Sequence, residues 1–277
     1  MTIAHGLKFQ IGIKKGVTIS KNSIHIAILS AMEEEVGEFV TKFKLNNKHK
    51  YGDLNIYGGE WKNSSGIKVF LSLAWSGWGK ISAARASTRL ISANKDDFGK
   101  VNLILFSGVA GAAKANLKQW DVVIGNSLLQ HDMDARPLFD KFVIPSLGKS
   151  TLSPKNFLLE DVFSHLQRSI IKGNLSNFGS INSGLIATGD KFISNKYQLR
   201  DLIEEIPDLY ALEMEGAALA QVAEQEEIDW LVIRVISDNA DESAADNFAD
   251  FLKKYKKFSS QLIEELLDIL CLALNKF

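Results

Sequence analysis

The chain has 277 residues, a length typical of one large domain or two small ones. Hydrophobic residues make up 46% of it and charged residues 23%, which is an ordinary globular composition with material for a large core. The formal net charge of −1 argues against broad binding to a phosphate backbone, so we expect no nucleic-acid partner.

The cysteine and hydropathy patterns indicate a location. Cys271 is the single cysteine and cannot form an internal disulfide, which favours a reducing, cytoplasmic setting. No window approaches the roughly 18 apolar residues of a membrane helix, so we expect no membrane partner. The N-terminal segment is interrupted by charge and lacks the apolar region of a signal peptide.

The first residues alternate between apolar and polar or small side chains on both sides of Lys15-Gly16. This pattern predicts a small β-hairpin in residues 1–23 that extends the fold. No proline- or glycine-rich linker divides the remaining chain, so we predict a single domain over residues 24–277. The alternating apolar residues are Leu7, Phe9, Ile11, Ile13, Val17 and Ile19.

Strand-like runs alternate with helical patterns along the rest of the chain, which predicts a layered α/β domain with a parallel or mixed sheet. Several runs are continuously apolar, as expected for strands covered on both faces. The predicted strands are Ile24–Ser30, Asn55–Tyr57, Val69–Ala74, Val101–Ser107, Val122–Leu129, Ile181–Thr188, Tyr210–Leu212 and Leu231–Ser237. The predicted helices are Glu33–Phe43, Lys80–Ala93, Lys155–Ile171, Lys196–Glu205, Gly216–Glu226 and a long one from about Ala244 to Leu274.

Ligands of such sheets bind at the carboxyl ends of the strands. Five predicted strand ends carry acidic or glycine-rich segments, and we expect these segments to converge on one site. They are "SAMEEE" after the first strand, "AWSGWGK" after the third, "SGVAG" after the fourth, "ATGDKF" after the sixth and "VISDNAD" after the last.

Three glutamates follow the first strand. The apolar stripe that begins at Met32 and Val36 places Glu34 on the opposite side of a helix at 100° per residue, so Glu34 is expected to face solvent. Glu33 and Glu35 lie on the two borders of the stripe, where either can lean into a cleft. Favourable contact with the helix N-terminus, worth up to about 1 kcal/mol each, is the alternative. Helical periodicity does not separate these two residues.

Glycines and a serine follow two other buried strands. Gly108 and Gly111 in "SGVAGAA" allow a ligand or another strand to approach the backbone. The segment lacks the third glycine of a dinucleotide fingerprint and the ending of a phosphate loop. Ser76 in "WSGWGK" offers a hydroxyl to a polar ligand, although either segment alone is equally compatible with a simple turn.

The last two segments carry further charge. Glu213 and Glu215 are spaced by two in an extended stretch, which suits recognition of paired sugar hydroxyls, with a solvated strand end as the alternative. Arg234 lies in a strand otherwise too apolar to be exposed and therefore needs a buried partner. Asp238 at that strand's end can act as an acid, as a hydrogen-bond acceptor or as a cap of the next turn. The five histidines show no metal-ligand spacing, and we expect no metal or cofactor.

Taken together, these segments resemble the 5′-methylthioadenosine/S-adenosylhomocysteine nucleosidases of the purine nucleoside phosphorylase superfamily. The resemblance runs from about Ile24 to Leu267. It implies a three-layer α/β/α sandwich around a mixed, twisted sheet, a homodimer, and hydrolysis of the N-glycosidic bond of a 5′-thio-substituted adenosine to adenine and a thioribose. The motifs that carry it, in order, are "ILSAMEEEV", "WSGWGK", "SGVAG", "HDMDARP", "ATGDKFI", "ALEMEGAA" and "VIRVISDNAD".

The resemblance also implies roles for individual residues. Glu35 would activate the attacking water, and Asp238 would protonate adenine N7. Glu33 would serve the helix terminus. Substrate-binding roles would fall to Glu215 on the ribose hydroxyls, Met214 against the sugar, Phe192 stacked on adenine, the backbone of Ile193 at the adenine edge, and Ser76 and Arg234 near the water and Glu35.

Two features depart from the family pattern. The second half of "HDMDARPLF" differs, and Leu138 or Phe139 is expected to help close the 5′-substituent pocket of a neighbouring subunit. The N-terminal hairpin has no counterpart. Three alternatives stay open: a phosphorylase, although the glutamates would repel phosphate; a hydrolase of futalosine or deoxyadenosine; and a non-enzymatic nucleoside-binding protein, against which the presence of both an acid and a base argues.

Overall fold

A computed structural model describes residues 24–93, 99–241 and 244–276. The hairpin predicted within residues 1–23 lies outside the described residues. In the described part of the chain, no helix is long and apolar enough to cross a membrane.

Ten strands of the described residues form one mixed sheet. They are β1 (Ile24–Ser30), β2 (Asn47–Tyr51), β3 (Leu54–Lys62), β4 (Lys68–Trp75), β5 (Leu103–Ala112), β6 (Val122–Gln130), β7 (Thr151–Leu152), β8 (Ile181–Thr188), β9 (Leu209–Glu213) and β10 (Asp229–Asp238). Their order in the sheet is β10-β6-β8-β9-β5-β1-β4-β3-β2, with β7 paired to β6. β10 also pairs with β5, so β5, β10, β6, β8 and β9 join in a closed ring, and β1 to β4 continue from β5.

β1 shows why the central strands read as continuously apolar. It runs parallel to β4 on one side and to β5 on the other, and all of its residues are buried. Ile26 and Ile28 join one hydrophobic cluster, whereas Ala27 and Leu29 join the cluster on the opposite face, because successive side chains of a strand point to opposite faces. The prediction of strands covered on both faces is confirmed.

Helices cover both faces, so the predicted α/β/α layering is confirmed. The helices are α1 (Phe39–Lys42), α2 (Lys80–Ala93), α3 (Asn156–Ile171), α4 (Lys196–Glu205), α5 (Gly216–Gln225), α6 (Ala244–Tyr255) and α7 (Ser259–Leu274), and a 3₁₀ turn spans Glu33–Glu35. α3, α6 and α7 pack on the cluster that contains Ile26, and α2 and α5 pack on the cluster that contains Leu29.

The prediction of one helix over Glu33–Phe43 is wrong. The 3₁₀ turn ends before Gly37, whose φ of +56° breaks the helical path before α1 begins. A Cβ at Gly37 would lie 2.7 Å from Ser259 Oγ, so the turn depends on glycine. The prediction that Glu34 faces solvent is wrong as well, because Glu34 is half-buried, whereas Glu33 is exposed.

The prediction of one long C-terminal helix is wrong as well. α6 ends at Tyr255 and α7 begins at Ser259, and the junction between them packs against the turn that contains Gly37. Two strands were not predicted. β2 is an exposed edge strand rich in lysine, without the apolar pattern on which a strand prediction rests, and β7 has only two residues.

Candidate active site

The carboxyl ends of β1, β5, β9 and β10 surround a cleft of about 430 Å³ that is partly open to solvent. A smaller hollow of about 280 Å³ adjoins it and shares several lining residues. The cleft lining includes four acidic side chains, Glu35, Glu213, Glu215 and Asp238, and no arginine, lysine or histidine in the part of the chain that the structure describes.

Glu35 is buried, and the backbone fixes its carboxylate. Its Oε2 accepts hydrogen bonds from Ala31 N at 2.6 Å and Met32 N at 2.9 Å, and its Oε1 accepts from Val109 N at 2.9 Å. Burial raises the pKa of Glu35, while the charge of Arg234 and the three N–H donors oppose that rise. The 3₁₀ turn therefore holds a carboxylate in one orientation at the cleft wall.

Arg234 lies in the middle of β10 with a fully buried side chain. Its guanidinium forms an ion pair with Glu213 and lies 3.5 Å from a carboxylate oxygen of Glu215. The guanidinium also stacks over the Phe106 ring at 4.1 Å. The prediction that a buried arginine here needs an acidic partner is confirmed, and the partners are the two glutamates that precede α5.

Glu213 is turned inward and ties β9 to α5. Its Oε2 accepts hydrogen bonds from Glu215 N at 3.0 Å and Gly216 N at 2.7 Å, as well as from Arg234. Its Oε1 accepts from the Thr188 hydroxyl. Both carboxylate oxygens are thus occupied by protein donors, and the charge lies at the N-terminus of α5, where a helix stabilises an anion.

Glu215 reaches across the cleft to the start of α2. Its Oε1 accepts a hydrogen bond from Gly79 N at 2.8 Å. Burial, reinforced by the negative charges of Glu213 and Glu35, raises its pKa to about 8 against the opposing charge of Arg234. A carboxyl group with one protein donor at Oε1 has hydrogen-bonding capacity left for a ligand.

Asp238 ends β10 on the wall shared by the cleft and the adjoining hollow. Its Oδ2 accepts a hydrogen bond from the Ser237 hydroxyl at 2.6 Å, and its Oδ1 accepts from Ala240 N at 2.8 Å. Burial raises the pKa of Asp238 despite these two donors. The side chain therefore combines access to the cleft with a tendency to hold its proton.

Two glycines of β5 make room for these side chains. The register of β5 and β10 pairs Gly108 with Arg234 and Gly111 with Asp238. A Cβ at Gly108 would lie 2.7 Å from Glu35 Oε1 and closer still to Arg234, and a Cβ at Gly111 would lie 3.1 Å from Asp238 Oδ1. The glycines noted in "SGVAGAA" thus allow the charged side chains to approach the backbone.

Apolar side chains form the mouth of the cleft. Trp78 is 53% exposed and Phe192 is 37% exposed. Both rings meet Phe248 edge-on, at centroid distances of 6.1 Å and 5.9 Å. Met32 and Met214 also line the cleft. The arrangement offers flat, apolar surfaces to a ligand whose polar part lies deeper, among the carboxylates.

The structure places the predicted residues in three groups. The main cleft is lined by Glu35, Phe192, Glu213, Met214, Glu215 and Asp238. The adjoining hollow adds Ile193. Outside the lining lie Gly108 and Arg234, which support it from behind, and Ser76, whose hydroxyl donates to the carbonyls of Gly77 at 2.6 Å and Ser30 at 3.4 Å.

Sequence reasoning missed four residues. Trp78 stands inside the quoted "WSGWGK" motif but was not singled out, and Met32 was assigned only to the apolar stripe. Phe248 belongs to an amphipathic helix, where its spacing matches a core residue. Tyr255 is fully buried and does not line the cleft; its hydroxyl lies near Ser107 and Glu35, and burial raises its pKa. No local sequence signal marks Phe248 or Tyr255 as part of a site.

Within the described ranges, no group of three or more histidine, cysteine, aspartate or glutamate side chains could hold a metal ion.

The sequence and the fold match those of a known class of proteins. The model of the phosphorylase superfamily matches residues 25–268 of the chain. The chain therefore belongs to the phosphorylase superfamily.

Individual relatives narrow the assignment. The 5′-methylthioadenosine/S-adenosylhomocysteine nucleosidase of Staphylococcus haemolyticus is 31% identical over 247 residues, which cover 88% of this chain and 100% of the relative. The structure of the Neisseria meningitidis nucleosidase of the same name, in complex with methylthio-immucillin-A, is 28% identical with a TM-score of 0.75 over 88% of this chain and 98% of that chain. Within the superfamily, the chain belongs to the family of 5′-methylthioadenosine/S-adenosylhomocysteine nucleosidases.

A second kind of enzyme has a similar fold. The structure of futalosine hydrolase from Helicobacter pylori is 28% identical with a TM-score of 0.74, and the match covers 88% of this chain and 97% of that chain.

The raised pKa of Glu215 implies that the stability of the folded protein depends on pH. Since its folded pKa of about 8 lies above the ordinary glutamate value of 4.5, the folded protein holds a proton that the unfolded chain has released, and stability falls as pH rises through this window. As pH rises from about 5 to about 8, we expect the free energy of unfolding of Glu215→Gln to fall less than that of the unmodified protein. Urea unfolding at several pH values measures this difference. The exposed Glu226→Gln is the matched control. An unchanged pH dependence in Glu215→Gln would contradict the assignment.

Proposed function

We propose that this protein hydrolyses the N-glycosidic bond of 5′-methylthioadenosine and S-adenosylhomocysteine, releasing adenine and a thioribose. The observation that carries the proposal is the pair of buried carboxyl groups, Glu35 and Asp238, on the lining of one cleft in a chain of this nucleosidase family. Mere binding of a nucleoside would need neither a buried base nor a buried acid.

Asp238 acts as the acid in this proposal. Cleavage of the bond leaves negative charge on the purine, and a proton delivered to N7 makes adenine a neutral leaving group. Burial raises the pKa of Asp238, so the carboxyl group holds a proton closer to neutral pH than an exposed aspartate does. The Ser237 hydroxyl at 2.6 Å and Ala240 N at 2.8 Å keep the carboxyl group aimed along the cleft wall.

Glu35 activates the water. As the bond to the base lengthens, the sugar gains oxocarbenium character, which a nearby carboxylate stabilises. The three backbone N–H groups that hold Glu35 keep it in place without reorganisation as charge develops. Burial raises the pKa of Glu35, and the charge of Arg234 opposes that rise and so favours the ionised form that a base requires. The division of labour between two carboxyl groups parallels that of inverting glycosidases, with nitrogen as the leaving atom.

The remaining residues bind the substrate. We assign the ribose hydroxyls to Glu215, which has free acceptor capacity, and not to Glu213, whose oxygens are occupied by protein donors. Met214 packs against the sugar and Phe192 stacks on the purine. The backbone of Ile193, in the hollow next to Asp238, reads the purine edge. Ser76 as a ligand of the water stays a prediction, since its hydroxyl donates to backbone carbonyls.

The charge of the cleft favours water over phosphate as the nucleophile. A phosphate dianion needs arginines or a nest of amides. Arg234 is committed to Glu213 and Glu215, and the described lining of the main cleft is acidic without a cationic side chain. Futalosine remains a second candidate substrate because the H. pylori hydrolase shares the fold at 28% identity.

Adenine release tests the proposal. We expect the purified protein to release adenine from 5′-methylthioadenosine and S-adenosylhomocysteine in phosphate-free buffer, measured by chromatography. Futalosine and 5′-deoxyadenosine are the comparison substrates, and for each the free purine base that it carries is measured in the same way. Strict dependence on added phosphate would establish a phosphorylase instead. Release from futalosine alone would move the protein to the second candidate, and no release from any of the four would contradict the proposal.

Two variants test the assigned roles. Glu35→Gln and Asp238→Asn are each expected to lower kcat by about 100-fold or more, the usual contribution of a general acid or base, while 5′-methylthioadenosine still binds in calorimetry. Glu33→Gln, two residues away and exposed, is the matched control and is expected to keep full activity. Turnover within about twofold of the unmodified protein in Glu35→Gln would remove that residue from the mechanism.

We also propose that the protein is a homodimer whose loop at Leu138 and Phe139 closes the cleft of the neighbouring subunit. Leu138 is 85% exposed and Phe139 is 41% exposed, so two adjacent apolar side chains of this loop are available to a partner. Sedimentation equilibrium is expected to show a dimer that Leu138→Asp weakens. The equally exposed Ile171→Asp is the control, and equal dimerisation of both variants would contradict this assignment. The cytoplasmic location stays a prediction.

A further inference from the structure

Three loops meet beside the cleft without supplying its catalytic carboxyl groups. They are the turn between β4 and α2, which contains Gly79 and leads into Lys80 at the start of α2; the segment after β6, which contains Asp132; and the loop after β8, which contains Asp190. We call the residues Lys80, Asp132 and Asp190 the loop clamp. None of the three lines the main cleft.

The loop clamp is a closed set of short contacts. Lys80 Nζ donates to Asp132 Oδ1 at 2.5 Å and lies 3.4 Å from Gln130 Oε1. The backbone N–H of Lys80 donates to Asp190 Oδ1 at 2.7 Å, and the backbone N–H of Asp190 donates to Asp132 Oδ2 at 3.0 Å. Every member thus contacts both others, so displacement of one loop disturbs the other two.

The ion pair of the clamp is partly shielded from water. The Lys80 side chain is 18% exposed, and that of Asp132 is 34% exposed. Charge-assisted hydrogen bonds in such surroundings are stronger than those of fully exposed pairs. Without the ammonium group, the Asp132 carboxylate would lose the cation that fixes its position, and the hydrogen bond that it accepts from Asp190 N at 3.0 Å would be less firmly oriented.

Each end of the clamp continues into the substrate site. Asp190 precedes Phe192 and Ile193 by two and three residues, on the same loop. At the other end, Gly79 N, next to Lys80, donates to Glu215 Oε1 at 2.8 Å. Gly79 has a φ of +92°, and a Cβ there would lie 3.0 Å from Asp190 Oδ1, so the two loops approach as closely as the backbone allows.

We propose that Lys80 is a positioning residue: through Asp132 and Asp190 it holds the loop of Phe192 and Ile193 at a fixed separation from Glu215. This inference rests on the proposed function, in which that loop binds the purine and Glu215 binds the ribose. The loop clamp sets the distance between the loop that binds the purine and Glu215, which binds the ribose. It contacts neither the purine nor the ribose itself. Its contribution lies in binding, because the same span is needed by the ground state and the transition state.

The variant Lys80→Met tests the inference, because it keeps the aliphatic stem and removes the charge. We expect KM for 5′-methylthioadenosine to rise by about tenfold or more, the loss expected when a charge-assisted contact that orders a binding loop is removed. We expect kcat to change by less than about threefold, as for a loss of uniform binding. Partial unfolding would do the opposite, since a smaller active fraction lowers kcat and leaves KM unchanged.

A second readout does not need turnover. Hydrogen exchange of the peptide that covers residues 189–195 is expected to accelerate in Lys80→Met. Lys149→Met is the matched control. It removes a lysine whose Nζ lies 3.0 Å from Glu224 Oε2, in an ion pair away from the cleft, and it is expected to leave the exchange of that peptide unchanged. Lys80→Arg, which keeps the charge, is expected to recover part of the loss in KM.

The outcomes distinguish a failure of the proposed function from a failure of the proposed role of Lys80. Failure of the unmodified protein to release adenine would overturn the proposed function, while exchange at residues 189–195 would still decide whether Lys80 orders the loop. Unaltered exchange in Lys80→Met would overturn the clamp. So would a KM within about twofold of the unmodified protein, or a loss in kcat alone, in an enzyme that does release adenine.

Discussion

Arg234 lies in the middle of a buried strand, and the arrangement of the site depends on its charge. A guanidinium without a partner at this depth would cost several kcal/mol, and so would the carboxylates gathered around it. Glu213 and Glu215 provide the partners, and the same positive charge favours the ionised form of Glu35. The charge of the arginine makes these acids tolerable in the core, because it offsets their mutual repulsion. Removal of the arginine would therefore affect several carboxylates at once.

The geometry of the backbone positions the side chains whose charges the arginine balances. Gly108 lies opposite Arg234 in the pairing of β5 and β10, and its lack of a side chain makes room for the guanidinium and for Glu35. Gly37 ends the 3₁₀ turn that aims Glu35, where the junction of α6 and α7 packs closely. The closed ring of strands brings β9 and β10 to the same edge as β1. Acid, base and sugar-binding carboxyl groups thus meet at one cleft from distant parts of the sequence.

Much of this was predictable because it depends on local patterns. Strand-like runs predicted β1 and β8 with their observed bounds, and an arginine within the apolar run of β10 predicted a buried partner. The motifs also predicted which carboxyl groups would meet at one cleft, since strand ends in a parallel sheet share an edge. The pitch of the turn at Glu35 was not predictable, because it depends on Gly37 packing against Lys256 and Ser259 from the far end of the chain. Phe248 was missed for a similar reason: its spacing fits a core helix, and only the tertiary fold brings it to Phe192.

A double-mutant cycle between Arg234 and Glu213 tests the central claim most directly. The free energy of unfolding would be measured for Arg234→Met, Glu213→Gln and the double variant by urea denaturation. Each single change should cost about 3–5 kcal/mol, because it leaves a buried charge without its partner. The double variant should be more stable than the sum of the two losses implies, by at least about 1 kcal/mol. Strictly additive losses would contradict the account, because they would mean that the arginine and the glutamate stabilise the fold independently.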